Sequence, residues 1–482
     1  MKHIKWTLSL LCGLLIANSG LNAKVKLPSI LGDHLVLQQQ SQVKLWGEAE
    51  AKALVTVKTS WDKKTYTATA DAKGAWLLSV ETPVAGGPYE ISIRQGQEIV
   101  LSDVLIGEVW FCSGQSNMEM PVRGFDGQPI EGANETIAAA KPRTPIRMFT
   151  TDSKEGNWVR QFSKQPQTDC QGEWLEHSSA HVANISAVAY FFAQQIQESL
   201  DVPVGVIVSS WGGSKLEAWM SRESLVPFTE VNLSHLDTDE AVRQPTSTPC
   251  VLYNAKIAPL TNFAIKGFLW YQGESNRDKP ELYERLMPVF VTDLRQKWKL
   301  ADFPFYFVQI APYYYEDANG ISAARFRDAQ LRNMKDIPHT GMAMTLDIGD
   351  SLCIHPADKK TVGKRLAWWA LSQTYGKAGI GYRAPEYKSM EIAGNKIIID
   401  FEHAPYGLSP QWQKLSGFEI AGENKTFLPA EAEIDLRTRK IVVSHKDVAQ
   451  PVAVRYAYKN YTKAGVFDMF GIPLTPFRTD DW

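Results

Sequence analysis

The chain has little that would commit it to nucleic acid, a membrane or a metal. Lysine plus arginine total 51 against 53 aspartate plus glutamate, a formal charge of −2. No basic domain or stripe of the kind a nucleic-acid binder carries is present. Beyond the N-terminus no apolar run is long enough to cross a bilayer. Low-complexity segments are absent. Among 9 histidines and 5 cysteines no pair has the spacing of a metal site. What remains, with 44% hydrophobic residues over 482 positions, is an ordinary globular protein of about two to four domains.

The N-terminus reads as an export signal. Met1 to Lys5 is basic, Trp6 to Ala17 is apolar but too short for a span, and small polar residues lead to a cleavage point after Ala23. Residues 1–23 are therefore expected to be removed, leaving a periplasmic or secreted protein with no membrane span. Cys12 leaves with the signal. Cys112, Cys170, Cys250 and Cys353 stay behind, either as buried thiols or with Cys112 and Cys353 bonded, since both lie close in sequence to candidate catalytic residues.

Residues 24–103 carry short alternating or β-branched runs, Val55–Val57, Thr65–Ala68 and Tyr89–Ile93, separated by Gly- and Pro-containing turns. That pattern predicts a small β-sandwich. From 104 to 385 apolar strands alternate with amphipathic helices. Strands are expected over Val104–Cys112, Pro203–Ser209, Ile265–Tyr271, Phe303–Ile310 and Gly341–Ile348. Helices are expected over 185–200, 280–298 and 323–334, with a last one from Pro356 to Thr374. Arg123 to His181 reads mostly as long surface loops. Such alternation predicts a mostly parallel sheet covered on both faces, with its site at the carboxyl ends of the strands. Residues 386–482 return to β character, with strands over Lys396–Phe401, Lys440–Val443 and Val452–Tyr456.

Several polar segments follow those strands and are expected on one edge. Ser116, in Ser113-Gly114-Gln115-Ser116-Asn117-Met118, is the candidate nucleophile. Serine needs a base to take its proton. His355 lies between a strand and a helix, and Pro356 suits that helix's first position, so the helix dipole would favour neutral imidazole. Attack on a carbonyl also needs donors for the oxyanion. Gly212-Gly213 can bring a backbone N–H close, and Asn276 has a side-chain N–H.

These blocks together resemble the sialate O-acetylesterase family, the carbohydrate-acetylesterase branch of the SGNH hydrolases. The resemblance rests on Gly114-Gln115-Ser116-Asn117-Met118, Ser209-Ser210-Trp211-Gly212-Gly213-Ser214, Trp270-Tyr271-Gln272-Gly273-Glu274-Ser275-Asn276, Asp347-Ile348-Gly349-Asp350 and Ile354-His355-Pro356. It implies a flavodoxin-like SGNH core, flanked by the N-terminal sandwich and the C-terminal β-rich domain. It implies hydrolysis of O-acetyl esters on sugars through an acetyl-enzyme, with no metal or organic cofactor. Ser116 is then the nucleophile and His355 the base. The oxyanion hole is formed by the Ser116 N–H, Gly212 or Gly213, and Asn276.

Many relatives carry an aspartate two residues before the histidine, where this chain has Cys353. A thiol is a poor substitute for the carboxylate that orients the base. Asp350 is the candidate replacement, Asp347 being expected at the strand end; a Ser–His dyad oriented by a backbone carbonyl is the alternative. Gln115, Trp211, Tyr271 and Glu274 are candidate substrate-binding residues, Glu274 reading most simply as an acceptor that fixes its loop. Trp270 and Tyr313–Tyr315 are further candidates for a sugar platform. Arg123 and Lys215 are candidates for a sugar carboxylate. The expected partner is an acetylated glycan, either acetylated sialic acid or a plant polysaccharide such as xylan. The other readings are a lipid or aryl esterase on the same core, and a glycan-binding protein whose triad has decayed.

Overall fold

The structure, a computed structural model, describes residues 25–482 except 155, 156 and 301; the expected signal segment lies outside them. A mixed α/β core sits between two β-rich regions. Its sheet is built from β1 (Gln97–Gly114), β2 (Ile146–Thr150), β3 (Trp174–Glu176), β4 (Val204–Ser210), β5 (Gly267–Tyr271), β6 (Phe305–Val308) and β7 (Thr340–Ala343). The spatial order is β3-β2-β4-β1-β5-β6-β7. Every pairing is parallel except β3 with β2. With β2 and β3 set aside, the strands run second, first, third, fourth, fifth in chain order. The direction of travel therefore reverses at β1, where doubly wound sheets open their binding crevice.

The strands owe their place to burial on both faces. All residues of β4, β5 and β6 are buried, so apolar side chains are tolerated at consecutive positions. Five helices matter for the site: α1 (Ser116–Glu119), α2 (Ala187–Leu200), α3 (Pro280–Trp298), α4 (Ser322–Asp336) and α5 (Lys359–Trp369). Pro288 lies inside α3 without ending it. In α5 the expected start at Pro356 is corrected. Asp358 is the N-cap and its side chain accepts from the Thr361 N–H at 2.9 Å. His355 thus precedes the helix by four residues, and the dipole argument for its neutrality falls away.

No clean boundary separates the N-terminal β-rich region from the core. The first half of β1 pairs antiparallel with Gly86–Gln95, and its second half enters the parallel sheet from Glu108 onward. One strand therefore belongs to both layers. The C-terminal region forms two four-stranded sheets around its own buried cluster, including Ile397, Ile399, Phe418, Val443 and Tyr456. The segment 123–181 is less loop-like than its composition suggests, for it holds β2, β3, a short helix over Ala133–Ala138 and the start of another over Ser179–Asn184. Its strands extend the central sheet on the β4 side. Among the described residues, no helix is long and apolar enough to cross a membrane.

Candidate active site

Gly114 ends β1 with φ 143°, and a Cβ there would stand 2.1 Å from the Tyr271 carbonyl. Only glycine lets β1 and β5 approach so closely. The same carbonyl accepts from the Gln115 N–H at 3.0 Å, which turns the chain sharply into α1. Ser116 opens that short helix and is half-buried. Its O–H donates to His355 Nε2 at 2.8 Å. His355 Nδ1–H in turn donates to Gln128 Oε1 at 2.6 Å. Because Gln128 accepts at Nδ1, the proton of the neutral ring sits there and Nε2 is left as the acceptor.

Gln128 comes from a tight turn over Phe125–Gln128, closed by reciprocal backbone bonds of 3.1 and 3.0 Å. The turn also sets the Phe125 ring edge-on to the imidazole, 5.4 Å between centroids. A neutral amide therefore occupies the position expected for a carboxylate. Asp350 is corrected on this point. Its Oδ1 accepts from the N–H groups of Leu352 and Cys353 at 2.6 and 3.0 Å, so the carboxylate closes its own turn. Asp347 is paired with Arg365. The Cys353 thiol donates to Gln128 Oε1 at 3.5 Å and to the His355 carbonyl at 3.3 Å. All four cysteines among the described residues are free, so the Cys112–Cys353 bond is corrected as well.

Among the expected oxyanion donors, Gly212 N–H is taken by Glu119, whose carboxylate is also paired with Arg160. A Cβ on Gly212 would stand 3.4 Å from the Ser116 Cβ, so this backbone faces the serine. The N–H groups of Ser116 and Gly213 have no partner among the described residues. Asn276 braces the site rather than facing it: Nδ2 donates to Glu217 at 2.8 Å, and Oδ1 accepts from Leu216 N–H and Gln272 Nε2.

Gln115 and Glu274 are buried. The first accepts from the Gly273 N–H at 3.3 Å and the second from Asn117 Nδ2 at 2.7 Å. Tyr271 and Trp270 are 0% exposed and belong to the core, which corrects them as a sugar platform. Trp211 stays half-exposed at the site. Around it stand Trp158 and Phe162, 51% and 42% exposed, with the Arg160 guanidinium over both tryptophan rings at 5.8 and 5.1 Å. These three residues of the segment 123–181 were missed from sequence, as was Gln128. The one signal available for Gln128 was the Asp126-Gly127 turn dipeptide. Arg123 is bonded to Asn184 and the Gly124 carbonyl.

Burial, and then the nearby Lys359, lower the His355 pKa to about 4. Lys359 is itself lowered to about 7 by burial, against the pull of Glu274, Cys353 and Asp358. Burial raises Glu274.

A parallel α/β sheet with a serine–imidazole hydrogen bond at its switch point defines a class of hydrolase-like sites. Comparison with known proteins narrows it. The sequence profile of the carbohydrate esterases described as sialic acid-specific acetylesterases matches residues 106–372. The sialate O-acetylesterase of Mus musculus is 27% identical over 93% of each chain. That of Homo sapiens is 28% identical over 78% of this chain and 76% of its own. A carbohydrate acetylesterase from Xanthomonas citri superposes with a TM-score of 0.85 at 33% identity, covering 95% of this chain and all of that one. The chain belongs to the sialic acid-specific acetylesterase family of carbohydrate esterases and is a carboxylic ester hydrolase.

Proposed function

We propose that the chain is an exported carbohydrate O-acetylesterase with a flavodoxin-like SGNH core, using Ser116 as nucleophile and His355 as general base. The observation that carries this reading is the 2.8 Å hydrogen bond from Ser116 Oγ to His355 Nε2; the Ser116 and Gly213 backbone N–H groups have no partner among the described residues. The basic-then-apolar N-terminus supports export.

As Ser116 Oγ bonds to the acetyl carbonyl carbon, its proton passes to His355 Nε2. The carbonyl oxygen becomes an oxyanion, for which the Ser116 and Gly213 N–H groups are the donors. Collapse breaks the bond to the sugar oxygen, which takes the proton back from His355. Water then attacks the acetyl-serine and gives a proton to His355. Acetate leaves, and Ser116 recovers its hydrogen. Gln128 holds the ring in the required tautomer throughout. An amide serves this purpose in cysteine–histidine–asparagine sites too.

The favoured substrate is an O-acetylated sialic acid such as the 9-O-acetyl form, as the family description and the named activity of the mammalian relatives support. Trp211, Trp158 and Phe162 offer apolar faces for sugar C–H groups. The exposure of Trp158 and Phe162 also suits a polymer lying along the surface, so acetylated polysaccharide such as xylan is the second reading.

Acetate release is to be measured side by side on 9-O-acetylated sialoglycan and acetylated xylan. Faster release from the sialoglycan is expected, with a loss of about 10⁴-fold or more in Ser116→Ala. Undiminished release by that variant would remove Ser116 from the mechanism. Release from xylan alone would select the second reading.

A further inference from the structure

Beneath the Ser116–His355 pair lie three buried side chains for which the reaction steps above have no use. Lys359 is 0% exposed and its ammonium donates to Asn117 Oδ1. Asn117 Nδ2 donates onward to Glu274 Oε1 at 2.7 Å and to the Ile354 carbonyl at 3.2 Å. Every link is adjacent to the site: Asn117 follows Ser116, Ile354 precedes His355, and Lys359 begins α5 one turn later. The ammonium also lies 5.6 Å from the centroid of the Tyr271 ring.

A hydrogen-bond brace alone does not require a cation here. Burying an ammonium is strongly unfavourable unless it is well paired, and an amide would make the same bond to Asn117. The nearby carboxylates do not neutralise the ammonium in place. Glu274 is reached only through Asn117, and Asp358 is committed to capping α5. Cys353 is the remaining titratable neighbour that acts on it. Around the His355 ring stand Ser116, Gln128, Phe125 and the Cys353 thiol, and the Lys359 ammonium is held next to the pair by Asn117, which follows Ser116 and bonds to the Ile354 carbonyl preceding His355.

We propose that Lys359 is a positioning residue for the ester hydrolysis: through Asn117 it ties Ser116 to His355, and its charge biases the imidazole towards the neutral, proton-accepting form. This rests on the serine–histidine reading above. The lowering of His355 to about 4, with burial the larger cause and Lys359 the second, agrees in sign.

The test is kcat/KM for acetate release against pH in the wild type, Lys359→Met and Lys359→Gln. Glutamine keeps a donor for Asn117 and removes the charge. The acidic limb is expected to move up by about one pH unit in both variants, less than the full gap to 6.5 because burial remains. An unmoved limb in both overturns the proposal whatever happens to the rate. A limb that moves in the methionine variant alone also overturns it, since the hydrogen bond and not the charge would then be responsible. If a variant is too slow to assay, the His355 ring is titrated by nitrogen NMR in Ser116→Ala, with and without Lys359→Gln, which removes the charge and keeps the donor. An upward shift supports the proposal and no shift refutes it. The two readings fail separately: full activity in Ser116→Ala breaks the serine–histidine reading, whereas an inactive Ser116→Ala with an unmoved His355 titration breaks only the role of Lys359.

Discussion

Lys256 and Lys359 are both fully buried, and each ammonium lies near an aromatic ring, 6.0 Å from Trp211 and 5.6 Å from Tyr271. They differ in what the ammonium touches. Lys256 bonds directly to the buried carboxylate of Asp152. Lys359 bonds to the neutral amide of Asn117, with the Glu274 carboxylate on the far side of it. Burial lowers both lysines, and in both a carboxylate pulls the other way. A charge neutralised where it stands contributes a local brace. A charge whose counter-ion is set one side chain away keeps a field, and here that field falls on the imidazole of the site. The pairing geometry, not the burial, separates a structural lysine from one that bears on the chemistry.

Breaking the first pair has the larger expected effect on stability. Lys256→Met leaves Asp152 buried with only Arg160, at 3.7 Å, to balance it. Removing one partner of a buried pair costs about 3–5 kcal/mol, and Arg160 places this case at the low end. Denaturant unfolding is expected to show that loss, while the acidic limb of kcat/KM in the folded variant stays where the wild type has it. A moved limb would erase the distinction between the two lysines.

Changes at Gln128 sharpen the other side of the comparison. Gln128→Ala removes the acceptor of the Nδ1–H and is expected to lower kcat by about 10- to 100-fold with little change in KM, because the ring loses its fixed tautomer. Gln128→Glu puts a carboxylate where the site now has an amide. A neighbouring negative charge favours imidazolium, so the His355 pKa rises and the acidic limb moves upward, opposing the Lys359 field. A downward or absent shift would mean that Nδ1 does not face residue 128 in solution.

The same comparison explains what could be read from the amino-acid order. Ser116, His355 and the glycine pair were legible because each follows a buried apolar run, and parallel strands deliver their carboxyl ends to one edge. The helices at 187–200 and 280–298 followed from apolar periodicity. Gln128, Trp158, Arg160 and Phe162 were not legible. They lie in a segment without periodicity, and contacts made across such a segment depend on tertiary docking. Asp350 misled because proximity in sequence says nothing about which N–H groups a carboxylate meets first, and its own turn supplies two. Tyr271 misled because a strand buried on both faces hides every side chain, including those next to a site. The Lys359–Asn117–Glu274 chain could not be found from spacing, since its members come from three separate blocks.

The central claim is that Ser116 becomes acetylated during turnover. Acid-quenching the enzyme during steady-state hydrolysis of an acetylated sugar, followed by peptide mass analysis, tests it directly. The expected result is one acetyl group on the peptide containing Ser116, and none on that peptide in Ser116→Ala. An enzyme turning over rapidly, with deacetylation shown to be rate-limiting and no acetyl group at Ser116, would contradict it.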